Sequence, residues 1–542
     1  MATDGPSRVR HTLEVARVLV RAGVLAPGRP DKIARQLRAL KTWGATIAGG
    51  YAAAQERVPD HPAVIDERGE SGFAAMNLRG RSLARTLREV GVGPQSRVGL
   101  LSRNHSGFVQ TMIACGRLGA DTVLLNTGLS APQLADVAQV NGITVLVADE
   151  EFAELCSLIP AEIPRLRAWN DSRDPGDSDL VWEGAAPEVE EQEPPESPGR
   201  LIVLTSGTTG TPKGARRPTP RGPQDAASIL SRIPLRSSDR ILVSAPAFHA
   251  WGLAGVQLGM TLRATLVMRR VFEPEDVLRT IQEQRCTTLF AVPVMLQRIL
   301  DLPRSKRDAY DLSSLRIVAV SGSAMSPKLV TDFMDAFGDV LYGLYGSTEV
   351  SWATIATPED MRTSPTTAGR PPLGTRLAIV DADGVELPPG KEGSIFVGNA
   401  MLFDGYTNGR SKRVADGLME TGDRGYLDAG GLLHVSGRDD DMIVSGGENV
   451  FPRPVEEAIV GLPGVREVVV AGVPDEEFGQ RFAAFVVPHE GVVLDPNEVR
   501  MHVRGVLGRF SVPRDVVFLE ELPRNPAGKV VKRRLPFNAP RR

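Results

Sequence analysis

Short apolar runs alternate with amphipathic helical stretches over much of the chain. From Arg97 to Ala148 the order is strand, helix, strand, helix, strand, with apolar runs at 97–101, 121–125 and 143–148. Similar runs follow at 201–204, 241–244, 264–268, 287–291 and 315–320. Buried parallel strands are near-continuous apolar runs joined by helices. The pattern therefore predicts a large α/β body of parallel sheets with helices on both faces.

The pattern changes after Glu349. Short strands at 374–380 and 393–397 are joined by turn residues, which predicts a small, mostly antiparallel β subdomain over about 365–437. Helices near 454–460 and 496–507 and strands at 465–471, 482–487 and 515–519 then predict a separate α+β domain. We expect a large N-terminal domain at 1–438, with α/β lobes to about 360, and a small mobile C-terminal domain at 439–542.

Composition excludes several classes of protein. The 542 residues carry 63 Lys+Arg against 66 Asp+Glu, with both signs spread along the chain, so no nucleic-acid partner is expected. The hydrophobic share of 42% and charged share of 24% are typical of a globular protein. The cysteines Cys115, Cys156 and Cys286 lack metal-ligand or disulfide spacing, which favours a cytoplasmic location.

Two segments lie outside the α/β pattern. Residues 12–25 are apolar but interrupted by Glu14, Arg17 and Arg21, which excludes both a secretory leader core and a membrane span. They predict an amphipathic helix that caps the body, with peripheral membrane contact as the alternative. Residues 171–200 are rich in Pro, Glu, Gly and Asp and predict a surface excursion with little structure.

A glycine- and hydroxyl-rich loop follows the apolar run at 201–204. Its turning backbone, hydroxyl donors and lysine suit a polyphosphate, whereas a flexible polar loop is the less favoured interpretation. A Walker A loop is excluded because Pro212 and Gly214 flank Lys213. The candidate phosphate-binding residues are Thr205, Ser206, Gly207, Thr208, Thr209, Gly210 and Lys213.

A second cluster of candidate residues lies at 342–349. Tyr345 can stack on a flat base, and Glu349 can hold a hard cation such as magnesium against phosphate oxygens. Further along, Asp423 in a Thr-Gly-Asp turn offers a carboxylate to a diol, and Arg438 offers a cation. Such a turn alone is usually only structural.

In this order, the motifs resemble the adenylate-forming superfamily of acyl-CoA synthetases, adenylation domains and luciferases. The resemblance covers nearly the whole chain and matches fatty-acid and related acyl-CoA ligases most closely at 403–407 and 447–452. Besides the segments above, it rests on Pro246–His249, Ser321–Ala324, Gly437–Asp441, Ser445–Asn449 and Pro523–Lys529.

The resemblance implies a two-step reaction. ATP and Mg²⁺ convert a carboxylate to an acyl-AMP with release of pyrophosphate, and the acyl group then passes to CoA. In this scheme the loop at 205–213 surrounds the phosphates, Glu349 holds magnesium and Thr348 touches the α-phosphate. The residues implied to bind adenosine are Gly322, Ser323, Ala324, Tyr345, Gly346, Asp423 and Arg438.

The same resemblance implies roles for the remaining candidate residues. Lys529 is the mobile lysine that bridges the carboxylate and the α-phosphate, and Asp440 is the hinge that lets the small domain move. His249 positions the acid, with general-base duty left open. The acid pocket is implied to contain Phe248, Trp251, Gly252 and Val294. The CoA site is implied to contain Gly446, Gly447 and Glu448.

We expect a medium- or long-chain fatty acid as substrate, because the implied pocket residues are apolar or small and none offers a carboxylate to an amino acid. The alternatives are an acyl-AMP ligase that delivers to a carrier protein, a CoA ligase for another hydrophobic carboxylate and, more remotely, a non-catalytic nucleotide or acyl-CoA binding homologue. All expected partners are small molecules, and no obligate protein partner is expected.

Overall fold

The computed structural model describes residues 5–170, 193–205, 213–220, 222, 224–441, 443–445, 448–475, 479–507, 511–526 and 528–537. Most of the predicted surface excursion at 171–200 lies outside these residues. Within them the helices are α1 (Gly5–Arg21), α2 (Pro30–Trp43), α3 (Ile47–Arg57), α4 (Phe73–Glu89), α5 (Ser106–Leu118), α6 (Ala131–Asn141), α7 (Gln224–Leu230), α8 (Ala250–Leu262), α9 (Pro274–Glu283), α10 (Pro293–Leu300), α11 (Arg304–Arg307), α12 (Pro327–Phe337), α13 (Pro358–Thr363), α14 (Pro452–Val460) and α15 (Pro496–Leu507).

The strands of the described residues form four sheets. They are β1 (Pro62–Asp66), β2 (Gly69–Gly72), β3 (Arg97–Leu101), β4 (Asp121–Leu124), β5 (Val145–Asp149), β6 (Arg165–Trp169), β7 (Leu201–Thr205), β8 (Lys213–Arg216), β9 (Arg240–Val243), β10 (Thr265–Met268), β11 (Thr288–Ala291), β12 (Ile317–Val320), β13 (Leu341–Tyr345), β14 (Thr354–Ala356), β15 (Arg376–Val380), β16 (Gly393–Gly398), β17 (Val414–Ala415), β18 (Leu418–Leu427), β19 (Leu433–Arg438), β20 (Ile443–Ser445), β21 (Glu448–Val450), β22 (Val465–Asp475), β23 (Gly479–Pro488) and β24 (Asp515–Phe518).

Two mainly parallel sheets form the body and confirm the predicted α/β class. The eight-stranded sheet has the order β14-β13-β12-β11-β9-β10-β1-β2, and the six-stranded sheet has the order β6-β5-β3-β4-β7-β8. Antiparallel pairs stand at the edges, where β2, β14 and β8 each add to a parallel neighbour. The central strands β10, β11 and β12 are fully buried, as near-continuous apolar runs require.

The α/β body begins earlier in the chain than the hydrophobic pattern indicates. Strand β1 pairs in parallel with β10, so the eight-stranded sheet takes a strand from residues 62–66, before the predicted start at Arg97. β1 is followed by the antiparallel strand β2 and not by a helix, so the strand–helix alternation that predicts the later strands does not include it.

Two smaller sheets complete the fold. The five-stranded sheet of β15 to β19 is antiparallel throughout its described pairs, which confirms the predicted β subdomain class. The last sheet contains β20 to β24, and α14 and α15 bury Val455, Ile459, Val499 and Val503 in the core on one side of it. This is the α+β C-terminal domain that the pattern predicts.

Helix α1 packs on the body as predicted. It buries Leu19, contacts α7 and joins the main core through Val15 and Val18. The Ser237 backbone N–H donates to the Ala22 carbonyl just past the end of the helix. In the described part of the chain, no helix is long and apolar enough to cross a bilayer.

Candidate functional site

The candidate residues converge at the carboxyl ends of four neighbouring strands. Strands β9, β11, β12 and β13 run in parallel side by side, so their carboxyl ends meet at one edge of the sheet, which we call the carboxyl edge. Ligands of open α/β sheets bind at this edge. The segments that follow these strands contain His249, Val294, the exposed loop 322–324 and Glu349. Topology thus places together residues that are up to a hundred positions apart in the chain.

Tyr345 joins the carboxyl edge to the antiparallel sheet. Its hydroxyl donates to Asp423 Oδ2 at 2.6 Å. Asp423 in turn lies opposite Arg438 in the register of β18 and β19. Burial, and then the Asp423 carboxylate, raise the pKa of Tyr345 well above its usual value, so the phenol stays a donor. This arrangement leaves an aromatic ring, a carboxylate and a guanidinium side by side, which suits a nucleoside.

Glu349 is an ionised carboxylate held by hydroxyl groups. Burial raises its pKa, but hydrogen bonds from Tyr406 and Ser347 outweigh burial and keep the pKa below its usual value. The Tyr406 hydroxyl donates to Glu349 Oε1 at 2.6 Å. Mg²⁺ in phosphate sites is typically held by one or two carboxylates plus phosphate oxygens. Glu349 therefore fits such an ion.

Arg217 supports the peptide next to Glu349. Its Nη1 donates to the Thr348 carbonyl oxygen at 3.0 Å. Burial lowers the pKa of Arg217 to about 10, against the opposing effect of Glu349, so the guanidinium stays charged at neutral pH. Arg217 thus holds the backbone of Thr348 and adds positive charge close to the carboxylate.

Lys529 reaches this site from the C-terminal domain. Its loop is closed by hydrogen bonds from the Lys529 N–H to Asn525 Oδ1 at 2.9 Å and from the Asn525 N–H to the Lys529 carbonyl at 2.9 Å. A Cβ built on Gly528 would press on Val294, and one built on Gly128 would overlap the ring of Pro526. The loop is therefore docked closely against the large domain.

The ammonium of Lys529 interacts electrostatically with Arg438, Glu349 and Asp423. The side chain keeps solvent-exposed area, yet partial desolvation and then the charge of Arg438 lower its pKa, while Glu349 and Asp423 act in the opposite direction. A nearby anion stabilises the charged form of an ammonium group that has lost hydration. The cluster of Lys529, Arg438 and Glu349 can therefore bind phosphate with a cation.

His249 lies beside Lys529 at the start of α8. Burial, and then the positive charge of Lys529, lower the pKa of His249 to about 3, so the imidazole is neutral at physiological pH. Its Nε2 is buried and makes no hydrogen bond to any described residue. The ring contacts Phe248 with centroids 4.6 Å apart. An unpaired buried nitrogen is costly unless a ligand satisfies it.

Apolar side chains surround this end of α8. Trp251 is 7% exposed, donates from Nε1 to the Ala291 carbonyl at 3.1 Å and packs on Phe290 with ring centroids 4.8 Å apart. Gly252 lies so close to the carbonyls of Ala245 and Pro246 that a side chain there would clash. The hydrogen bond and the close approach fix the position of the indole.

Several predicted residues lie outside the described part of the chain. These are Ser206, Gly207, Thr208, Thr209 and Gly210 of the phosphate loop and Gly446 and Gly447 of the CoA site. Thr205 and Lys213 are paired across the antiparallel ends of β7 and β8, which places the two ends of the phosphate loop together. Asp440 lies in a 3-10 turn at 439–441, and Glu448 begins β21.

Sequence reasoning missed two residues that support the site. Tyr406 lies in segment 403–407, which carries the family resemblance but implies no role for this residue. Arg217 follows the phosphate loop and belongs to no motif. Because each acts through a partner more than 50 positions away, as the separations of 57 and 131 show, local spacing carries no signal for them.

Comparisons with known proteins agree with this geometry. Residues 51–407 match the model of the AMP-binding enzyme family, and residues 454–529 match its C-terminal domain. The two matches cover the carboxyl edge and the Lys529 loop, and Asp423 and Arg438 lie between them.

Curated relatives align over most of the chain. A feruloyl-CoA synthase from Amycolatopsis sp is 33% identical over 89% of this chain and 97% of its own length. A long-chain-fatty-acid–CoA ligase, FadD13, from Mycobacterium tuberculosis is 32% identical over 85% of this chain and 91% of its own length. The solved amide bond synthetase McbA from Marinactinospora thermotolerans has a TM-score of 0.80 and 29% identity, covering 90% of this chain and 99% of that chain.

Gly128→Ala should weaken docking of the Lys529 loop, because the added methyl group meets the rigid ring of Pro526. We expect faster hydrogen–deuterium exchange of the amides at 525–531 in this variant. The matched control is Gly93→Ala, since a Cβ at Gly93 meets open space. Equal exchange of this segment in Gly128→Ala and Gly93→Ala would show that the contact does not hold the loop.

His249→Gln should make stability less dependent on acid pH. The folded protein holds His249 neutral down to about pH 3, whereas an unfolded histidine takes a proton near pH 6.5. Stability from this residue is therefore present above pH 6.5 and declines as pH falls, by about 1.4 kcal/mol at pH 5.5. Denaturation midpoints at pH 8 and 5.5 measure this, with exposed His489→Gln as control. An equal loss of stability between pH 8 and 5.5 in wild type and His249→Gln would contradict the lowered pKa of His249.

Proposed function

The chain belongs to the AMP-binding enzymes of the adenylate-forming superfamily and is an AMP-forming acid–thiol ligase that uses ATP, Mg²⁺ and CoA; on this premise we propose that its acid is a medium- or long-chain fatty acid. The observation that carries the assignment of roles is the position of Lys529, docked from the C-terminal domain within the field of Glu349, Asp423 and Arg438.

In the first step, the site brings a carboxylate oxygen to the α-phosphorus of ATP. Positioning and cations do most of this work, because the reacting groups are all anions. Lys529 bridges the acid carboxylate and the α-phosphate and balances the charge that develops there. Thr348, whose carbonyl Arg217 holds, touches the α-phosphate. The carboxylate oxygen bonds to phosphorus as pyrophosphate leaves.

The nucleotide is held at the junction of the carboxyl edge and the antiparallel sheet. Asp423 and Arg438 bind the ribose, while Tyr345 with the loop Gly322–Ala324 encloses adenine. Tyr345 is fixed for this by its hydrogen bond to Asp423. Glu349 holds Mg²⁺, which neutralises phosphate charge when bound, and Tyr406 keeps the carboxylate oriented. The loop at 205–213 surrounds the remaining phosphates.

In the second step, the CoA thiol attacks the acyl carbonyl and AMP leaves. Lys529 has no role in this step, so the C-terminal domain can withdraw it by turning at Asp440. Glu448, on β21 near this hinge, then belongs with Gly446 and Gly447 to the CoA side of the site. His249, neutral and with an unpaired Nε2, positions the acid beside the thiol route.

The proposed acid site is apolar. Phe248 and Trp251 are buried beside His249, and Val294 faces Gly528 of the Lys529 loop. Among the described residues of this set, none carries a carboxylate that would pair with the ammonium of an amino acid. A hydrocarbon chain gains free energy from each methylene that it buries there.

A second candidate substrate is an aryl or arylalkyl acid. A planar acid could stack on the exposed part of Trp251, whose indole packs on the fully buried ring of Phe290. The relatives named for feruloyl-CoA and for indoleacetate–CoA are 33% and 34% identical to this chain, as close as the fatty-acid ligase FadD13 at 32%. Delivery to a carrier protein, the function named for a relative at 29% identity, stays the alternative to CoA.

Peripheral membrane contact and a cytoplasmic location both stay predictions. Helix α1 leaves Val9, Leu13 and Val20 more than half exposed, close to Arg10, Arg17 and Arg21. Exposed apolar residues beside basic ones suit an anionic lipid surface. Such contact would bring the enzyme to the phase in which a fatty acid dissolves.

Lys529→Ala should separate the two steps. We expect acyl-AMP formation, measured as acid-dependent pyrophosphate release, to fall by about 10²–10³-fold, because a positioned cation is lost. Thioester formation from supplied acyl-AMP and CoA should survive, because Lys529 has left the site. Arg533→Ala, which removes an exposed cation from the same tail, is the control. Equal loss of both half-reactions would overturn the role of Lys529.

A panel of acids tests the proposed substrate. Pyrophosphate release is measured with acetate, octanoate, palmitate, ferulate and indole-3-acetate, with and without CoA. The apparent KM should fall roughly fourfold per added methylene until the pocket is full. Higher kcat/KM for ferulate or indole-3-acetate than for octanoate and palmitate would replace the fatty-acid proposal with the aryl acid, while the adenylating mechanism would stand.

A further inference from the structure

Segment 243–249 leaves the sheet just before Phe248 and His249, which belong to the proposed acid site. After β9 ends at Val243, the N–H groups of Ser244 and Ala245 both donate to the Phe290 carbonyl at 3.0 Å. The chain then turns away toward Phe248 and His249. Backbone groups that leave a ladder in the protein interior need other partners.

Asn104 supplies those partners. Its Nδ2 donates to the carbonyls of Val243 at 2.9 Å and Ala245 at 3.0 Å, and its Oδ1 accepts from the Ala247 N–H at 2.8 Å. The side chain is 5% exposed. One amide from the loop between β3 and α5 thus pairs with three backbone groups of 243–247, and the last of them is two residues before His249.

The Asn104 loop is itself anchored by a buried carboxylate. Asp149, at the end of β5, accepts from Ser102 Oγ at 2.9 Å and from the Arg103 N–H at 2.8 Å, and it lies 2.9 Å from His105 Nε2. His105 Nδ1 accepts from the Gly107 N–H, so its Nε2 carries the proton that faces Asp149.

The serine, histidine and aspartate of this group do not form a hydrolase triad. The side chains of His105 and Asp149 are fully shielded from solvent, at 0% each, so a substrate has no access to them. Because Asp149 holds the residues on both sides of Asn104, the group is better explained as the support of the Asn104 amide.

We propose that Asn104 is a positioning residue for the acid site, which sets the place of Ala247, Phe248 and His249 relative to Lys529 through its three hydrogen bonds to segment 243–247, with Asp149 as its anchor. This inference rests on the proposed function. It predicts that loss of the amide moves the acid and not the nucleotide, because Asp423, Arg438 and Tyr345 lie on other elements.

The chain offers a matched control at Asn77. Asn77 is 4% exposed, accepts from Arg117 Nη2 at 2.9 Å and donates to Gln55 Oε1 at 2.5 Å. It joins helices α3, α4 and α5, away from segment 243–249. Removing either amide should lower stability, but only Asn104 should affect the acid.

Pyrophosphate exchange kinetics of Asn104→Ala and Asn77→Ala test the proposal, with the acid of the panel that wild type uses best. We expect kcat/KM for the acid to fall by about 10–100-fold in Asn104→Ala, since small misplacements of reacting groups have such effects. The KM for ATP should stay within about twofold of wild type. Asn77→Ala should keep both constants. Where the alanine variants do not fold, Asn104→Ser and Asn77→Ser remove less volume and serve for the same comparison.

Hydrogen–deuterium exchange gives a readout that does not need activity. The Ala247 amide should exchange faster in Asn104→Ala than in wild type or Asn77→Ala, and Asp149→Asn should show the same effect to a smaller extent. Equal kinetic changes in the two alanine variants, an equal rise in the KM for ATP, or unchanged protection of Ala247 would overturn the inference. Wild type without acid-dependent exchange of pyrophosphate would instead overturn the proposed function.

Discussion

The partly desolvated ammonium of Lys529 is the interaction on which the arrangement of the site depends. Bringing it from water to the large domain costs hydration free energy, and Arg438 adds repulsion. Glu349 and Asp423 return only part of this. In the proposed mechanism, an anionic nucleotide bound between these groups supplies the remainder, and departure of pyrophosphate removes most of its negative charge. The proposed withdrawal of the lysine after adenylation is therefore favoured by the same electrostatics.

The parallel sheet provides the place where such charges can meet. Strands that run side by side deliver their following loops to one edge, but those loops leave the hydrogen-bond ladder and need new partners. In this protein the partners come from distant elements: Asn104 for the segment before His249, Arg217 for the Thr348 carbonyl and Tyr406 for Glu349. Several distant elements therefore hold the residues of the site in place.

Membership in the family determines the reaction more firmly than it determines the acid substrate. In the proposed mechanism the charged groups of Glu349, Asp423 and Lys529 act on ATP, the substrate common to this family, so the motifs that contain them indicate the reaction. The proposed acid site is apolar, so its shape would decide which acid binds, and that shape depends on how Trp251 packs on Phe290. Relatives named for ferulate, indoleacetate and fatty acids are 33%, 34% and 32% identical to this chain, so overall identity does not indicate the acid.

The sequence by itself determined the class of fold, the elements with strong periodicity and the candidate residues of the site. Strand β3 and helix α15 have the predicted bounds, because a continuous apolar run and helical amphipathicity are local patterns. Strand β1 escaped prediction because it lies before the strand–helix alternation and pairs with β10 in a distant part of the chain. Only the tertiary structure decided the contacts of Asn104 with Ala247 across 143 positions, of Tyr406 with Glu349 across 57 and of Gly128 with Pro526. Hydrogen bonds and close packing between distant segments depend on the path of the whole chain, and no local spacing encodes that path.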